Sequence, residues 1–168
     1  MPPTSEVAYG TADPAQAAEL VRVLELHAGW EAQRDTPAAD ERSSTRRLQA
    51  LQQAFEAYRS CRAGYAGRYK TDQMPELSPA GPDRLAKWCR TVRALLQRAD
   101  GADGPVRVIA KAHRMADRIA ARAGCDPVAR GTAPVTGAGA VRELDAVIRW
   151  CDALTEAGNA APVVVAAG

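Results

Sequence analysis

Residues able to do chemistry are few in this sequence, and they are scattered. Two histidines, His27 and His113, form no HxH or HExxH pattern, and the cysteines Cys61, Cys89, Cys125 and Cys151 include no CxxC pair. Tetrahedral zinc takes four such ligands, supplied at close spacings, so no metal site is expected. A Cys/His nucleophilic pair would have to be assembled by the fold. In their apolar helical settings the four thiols read as reduced core residues, and His113 reads as a border histidine. Asp152 and Glu156 are paired carboxylates at helical spacing but lack the ExxH companions of bundle metal sites, so they read as a solvated acidic face. The segment GTAPVTGAGAVRE sets glycines before a helix, where backbone amides could receive an anion. It has no GK[ST] ending and follows no strand, which leaves a flexible loop. No catalytic motif emerges; the expectation is a non-enzymatic protein without cofactor.

A sharper pattern is physical. In Pro105–Gly124, Val108, Ile109, Ala112, Met115, Ala116, Ile119 and Ala123 share one arc of a helix at about 100° per residue. Arg107, Lys111, Arg114, Arg118 and Arg122 share the opposite arc. A helix built this way buries one side and carries a basic stripe on the other. The end of a preceding helix, YRSCRAGYAGRYK, forms a secondary candidate: Arg62, Tyr65, Arg68, Tyr69 and Lys70 would bring rings and cations together.

These helices belong to a chain with a segregated charge. The net +2 over 168 residues divides into −5 for residues 1–45, +9 for 46–122 and −2 for 123–168. A chain of this length buries about 70% of its unfolded surface as one domain. Asp13-Pro14 starts a first helix, with Asp as N-cap and Pro at the first helical position. Ala17, Leu20, Val21, Leu24, His27 and Ala28 line its inner face, and Glu19, Glu25 and Glu31 lie on the others. A second helix is expected from about Ala38, capped by Thr36 or Asp35, to Gly64. Its Leu48, Leu51, Phe55 and Tyr58 make a seam for a neighbouring helix.

Beyond the Pro-rich connector Thr71–Gly81, a third helix carries Leu85, Trp88, Cys89, Val92, Leu95 and Leu96. The polar turn at 100–104 leads into the basic helix. The break Cys125–Gly139 precedes a fifth helix, about Ala140–Ala157, with Val141, Leu144, Val147, Ile148, Cys151 and Leu154 inward. Residues 1–12 read as an irregular lead-in and 158–168 as a flexible or loosely packed tail; Val163–Val165 is β-prone but alone. The fold expected is therefore all-α: a single-domain bundle of about five helices. It could comprise two related helical hairpins, since Leu85-Ala86-Lys87-Trp88-Cys89 echoes Val147-Ile148-Arg149-Trp150-Cys151.

Three readings compete for the basic stripe. It can pair internally with the acidic first and last helices, dock an acidic protein surface or a second copy of the chain, or follow nucleic-acid phosphates. In the last case the Tyr/Arg segment 58–70 would supply stacking. The sequence pI of about 8.4 is modest for a dedicated nucleic-acid domain. A membrane-surface role is set aside, because the apolar face is Ala-rich and lacks Trp or Phe. With no signal-like leader and no span of about 20 apolar residues, a cytoplasmic location is expected. The functional expectation is a binding module acting through protein–protein interaction or assembly; the alternative is a nucleic-acid-binding accessory protein.

Overall fold

A computed structural model describes residues 12–71, 73–99, 105–130 and 137–160. They form five helices: α1 (Pro14–Asp35), α2 (Glu41–Tyr69), α3 (Pro82–Arg98), α4 (Val106–Ala123) and α5 (Gly137–Ala160). No strand occurs among the described residues, and none of these helices is long and apolar enough to cross a membrane. The fold is all-α, as the periodicities require.

Local chemistry sets the boundaries. The Asp13 carboxylate accepts from the Gln16 amide at 2.8 Å, and Pro14 opens α1. Asp40 caps α2 through the Ser43 amide at 2.6 Å, so this helix starts later than the Asp35/Thr36 signal suggested. It also runs past Gly64 to Tyr69, because Tyr65 packs into the core and holds the last turn in place. Gly81 at φ 85° enters α3 and Gly124 at φ 66° ends α4, both left-handed conformations that a Cβ disfavours. The fifth helix begins at Gly137 and includes Gly158–Ala160, earlier and later than expected. The rest of the expected tail, the lead-in before Ala12, the 100–104 turn and the Val163–Val165 run lie outside the described residues. Ala12 itself is buried.

Four helices enclose the core. α1 packs on α3 and α4, α3 on α5, and α4 on α5. Leu20, Leu24, Leu85, Val92, Val108, Ala112, Leu144 and Val147 fill the space between them. Salt bridges Arg90–Asp152 at 2.7 Å and Arg93–Asp145 at 2.5 Å, with Thr155 donating to Asp83, show α3 and α5 running antiparallel. The acidic face expected on α5 is therefore partly an internal partner of α3. Where the two WC echoes cross, Cys89 and Cys151 are both fully buried. Burial and the neighbouring Cys151 push the Cys89 thiol up, and burial with Asp152 pushes Cys151 up to about 12. Thiolate chemistry is disfavoured at both.

The pairing of helices corrects one expectation. α2 does not make a hairpin with α3; it folds back antiparallel on α1, with Tyr65 near Gln16, Tyr58 near His27 and Phe55 near Trp30. α2 makes no comparable contact with any other described helix. It is an outrigger on a four-helix core.

Candidate functional site

The basic arc of α4 is shared between α1 and solvent: Lys111 is buried, while Arg107, Arg118 and Arg122 are exposed. At its N-terminus, Pro105 offers no side-chain cap. Glu25 of α1 supplies one instead, accepting from the Val108 amide at 2.8 Å and the Arg107 amide at 3.2 Å. Burial pushes the Glu25 carboxyl up, against the opposing pull of those amides and of the Arg107 charge. The Arg107 side chain crosses α1 over Gly29, where a Cβ would stand 2.9 Å from its Cδ. At the other end, Arg118 reaches Asp35 at 3.3 Å.

Between these lies the least expected member. Lys111 belongs to the basic stripe by spacing, yet it is 3% exposed, and its assignment to an open cationic face is corrected here. Its ammonium stands 2.5 Å from Glu31 Oε1, donates to the Leu77 carbonyl of the connector, and lies 5.6 Å from the Trp88 ring centroid. His27 Nδ1 also meets Glu31 Oε1, at 3.0 Å. Burial alone would raise Glu31. Hydrogen bonds from His27 and Lys111, with the Lys111 charge, outweigh it and hold the carboxyl down at about 2. Burial pushes the Lys111 ammonium down, with Glu31 resisting. A buried pair of this kind depends on the groups around it. The Leu77 carbonyl, the His27 imidazole and the Trp88 ring face surround this one, while the Trp88 Nε1–H is buried without a hydrogen-bond partner. Glu31 carried the missing signal: it belongs to the acidic face of α1 that the charge count had marked.

Of the remaining stripe, Arg114 is half-buried and Arg122 exposed, and neither forms an ion pair among the described residues. His113, at the border of the apolar face, is buried, with Nε2 2.9 Å from Glu143 of α5. No group of three metal-ligating side chains occurs among the described residues.

The Tyr/Arg end of α2 is divided in the same way, with Tyr65 buried and Arg68 and Lys70 exposed. Tyr65 is 1% exposed and accepts from Gln16 at 2.9 Å, so it is a core residue rather than the stacking platform that the sequence suggested. Tyr69 packs on it at 5.0 Å between ring centroids. Arg68 pairs with Glu19 at 2.7 Å, and Arg62 donates to Tyr58 at 2.9 Å. Lys70 is exposed and ends the helix at φ 54°.

The opposite displacement occurs in the first half of α2. Leu48 is 63% exposed and Phe55 37%, with Leu51 half-buried between them; only Tyr58 of the expected seam is buried. α1 covers the seam only at its Phe55–Tyr58 end, and no described helix lies over Leu48. Phe55 is backed by an aromatic group in which Trp30, His27 and Tyr58 meet it or one another at 5.0–6.0 Å. The stripe continues into a groove of about 550 Å³ lined by Phe55, Tyr58, Arg59, Arg62 and Met74. Along its length α2 carries six arginines against two glutamates.

Compared with known protein families, with curated proteins and with solved structures, this chain matches none.

Proposed function

We propose that this protein is a helical docking module whose recognition surface is the outer face of α2, and that its partner is an acidic amphipathic helix of another protein. One observation carries the reading: Leu48 and Phe55 stand exposed at seam spacing on a helix whose main packing, among the described helices, is against α1. A mostly exposed leucine one turn from other apolar side chains is ordinary when single and informative when it extends a stripe. Helix-in-groove recognition uses anchors at these spacings. The charge chooses the partner. Arg59 and Arg62 extend the stripe, so a helix with carboxylates beside its leucines is favoured over a basic one. The same charge disfavours a second copy laid along the seam, since arginine would face arginine. The nucleic-acid reading has less support, because Lys111 and Tyr65 are buried away from any phosphate or base.

A fluorescent synthetic helix with leucines at 3–4 spacing and glutamates flanking them is the probe, and the same peptide with lysines is its control. Anisotropy should report binding of the acidic peptide only, weakened by about tenfold or more in Leu48→Asp. Equal binding of both peptides, or no effect of Leu48→Asp, contradicts the reading. A mass above the 17.8 kDa monomer that Leu48→Asp abolishes would instead make a second copy the occupant.

A further inference from the structure

On the flank of α2 away from Leu48 and Phe55 lies a second feature. Where α1 ends and α2 begins, the chain turns around a groove of about 590 Å³. Its floor is small and apolar: Gly29 and Ala32 of α1, Ala38 and Ala39 of the turn, and Ala50 of α2. Three guanidinium side chains edge it, Arg46 and Arg47 from the first turns of α2 and Arg107 from α4, and no carboxylate lines it. The volume falls within the roughly 300–1,000 Å³ usual for small-molecule sites.

The three arginines are not equally engaged. Arg107 lies across Gly29, and its charge is partly met by Glu25. Arg47 spends one Nη on the Arg34 carbonyl at 2.5 Å, which orients its guanidinium, while its Nε–H is buried with no partner. A buried N–H left unpaired is costly, and a charged donor most of all. Arg46 is exposed, with no ion pair among the described residues. Three cations therefore converge on an apolar pocket, with one donor unsatisfied and no carboxylate in the lining to answer it.

The geometry points to a binding site for a small amphipathic oxyanion, a carboxylate or phosphate monoester carried on a compact apolar body. The head sits between Arg46, Arg47 and Arg107, where charge-assisted hydrogen bonds to guanidinium are strong and can be bidentate. The body lies over Ala32, Ala39 and Ala50. Gly29 is the structural requirement for the third cation, since any Cβ there displaces Arg107 from its path over α1.

Octanoate, octyl phosphate and octylamine are the probes, followed on the intact chain by amide chemical shifts. Octanoate or octyl phosphate should shift amides of residues 29–50, and the tighter of the two identifies the head. Octylamine should shift none. Arg47→Gln should weaken binding by about tenfold, the loss of one charge-assisted contact. Gly29→Ala should weaken it as well while leaving the helix intact, because alanine is the better helix former. Leu48→Asp should leave octanoate binding unchanged, which separates this site from the docking face. Equal binding of octylamine, shifts scattered outside the groove, insensitivity to Arg47→Gln, or no binding of either anion would each overturn the assignment.

Discussion

Two stripes in this molecule exchange the roles that their chemistry suggests. The cations of α4 look like an open binding surface, yet Lys111 is buried against Glu31, Arg118 meets Asp35, and the amide of Arg107 is taken by Glu25. The leucines and aromatics of α2 look like a packed seam, yet Leu48 and Phe55 face outward. The difference lies in what each stripe finds beside it. α4 runs alongside an acidic helix of the same chain, so part of its charge is answered internally, at Lys111 and Arg118. α2 lies outside the four-helix core, with α1 on one side and no described helix on the other. A polar residue is exposed only if nothing complementary is packed against it, and an apolar residue is buried only if something covers it.

The contrast can be broken first at the buried pair. Lys111→Ala should destabilise the fold by about 3–5 kcal/mol in chemical denaturation, because it strands the Glu31 carboxylate in the interior. The double variant Lys111→Met/Glu31→Leu should recover most of that loss. A loss below about 0.5 kcal/mol for the single variant would mean that Lys111 is solvated like an ordinary surface cation.

Acid sharpens the same point. The folded Glu31 carboxyl sits at about 2 against an ordinary 4.5, so its contribution is complete above pH 4.5 and disappears as pH falls toward 2. It is on the order of 3 kcal/mol. The stability difference between the wild type and Glu31→Gln should therefore be constant at neutral pH and shrink below 4.5. A difference that persists to pH 2 contradicts the ion pair.

The smallest effect tests the outer stripe. Leu48→Gln should change stability by less than about 0.5 kcal/mol, whereas Leu144→Ala in the core should cost about 2–5 kcal/mol. If Leu48→Gln costs as much as the core substitution, the seam is covered in solution and α2 is not free to dock.

Much of the architecture was legible because it follows from periodicity. The inner faces of α1, α3 and α5 are, almost residue for residue, the apolar stripes read from the sequence, and Asp13-Pro14 marked the start of α1. The internal answer to the α4 charge was foreshadowed by the acidic first segment. What could not be read was which cation would turn inward. Lys111 lies only about 60° around the helix from Val108, at the edge of the apolar arc, and a long aliphatic stem allows it to go either way. Glu31 decides the matter from another helix. The Leu48 seam was misplaced for the converse reason: a heptad step shows that a face wants cover, not that the same chain provides it. The hairpin pairing failed likewise, since helix order along the chain does not reveal that the connector carries α3 away from α2.

The inward turn of Lys111 can be measured against two internal controls, since Lys70, Lys87 and Lys111 are the only lysines. Lys70 and Lys87 are exposed and Lys111 is buried. Burial that lowers the Lys111 ammonium would make it the more nucleophilic amine if reagent could reach it, so protection reports enclosure directly. Brief acetylation of the native protein, read by mass spectrometry, should modify Lys70 and Lys87 and spare Lys111 until denaturant is added. Acetylation of Lys111 at the rate of the other two in the native state would contradict the account.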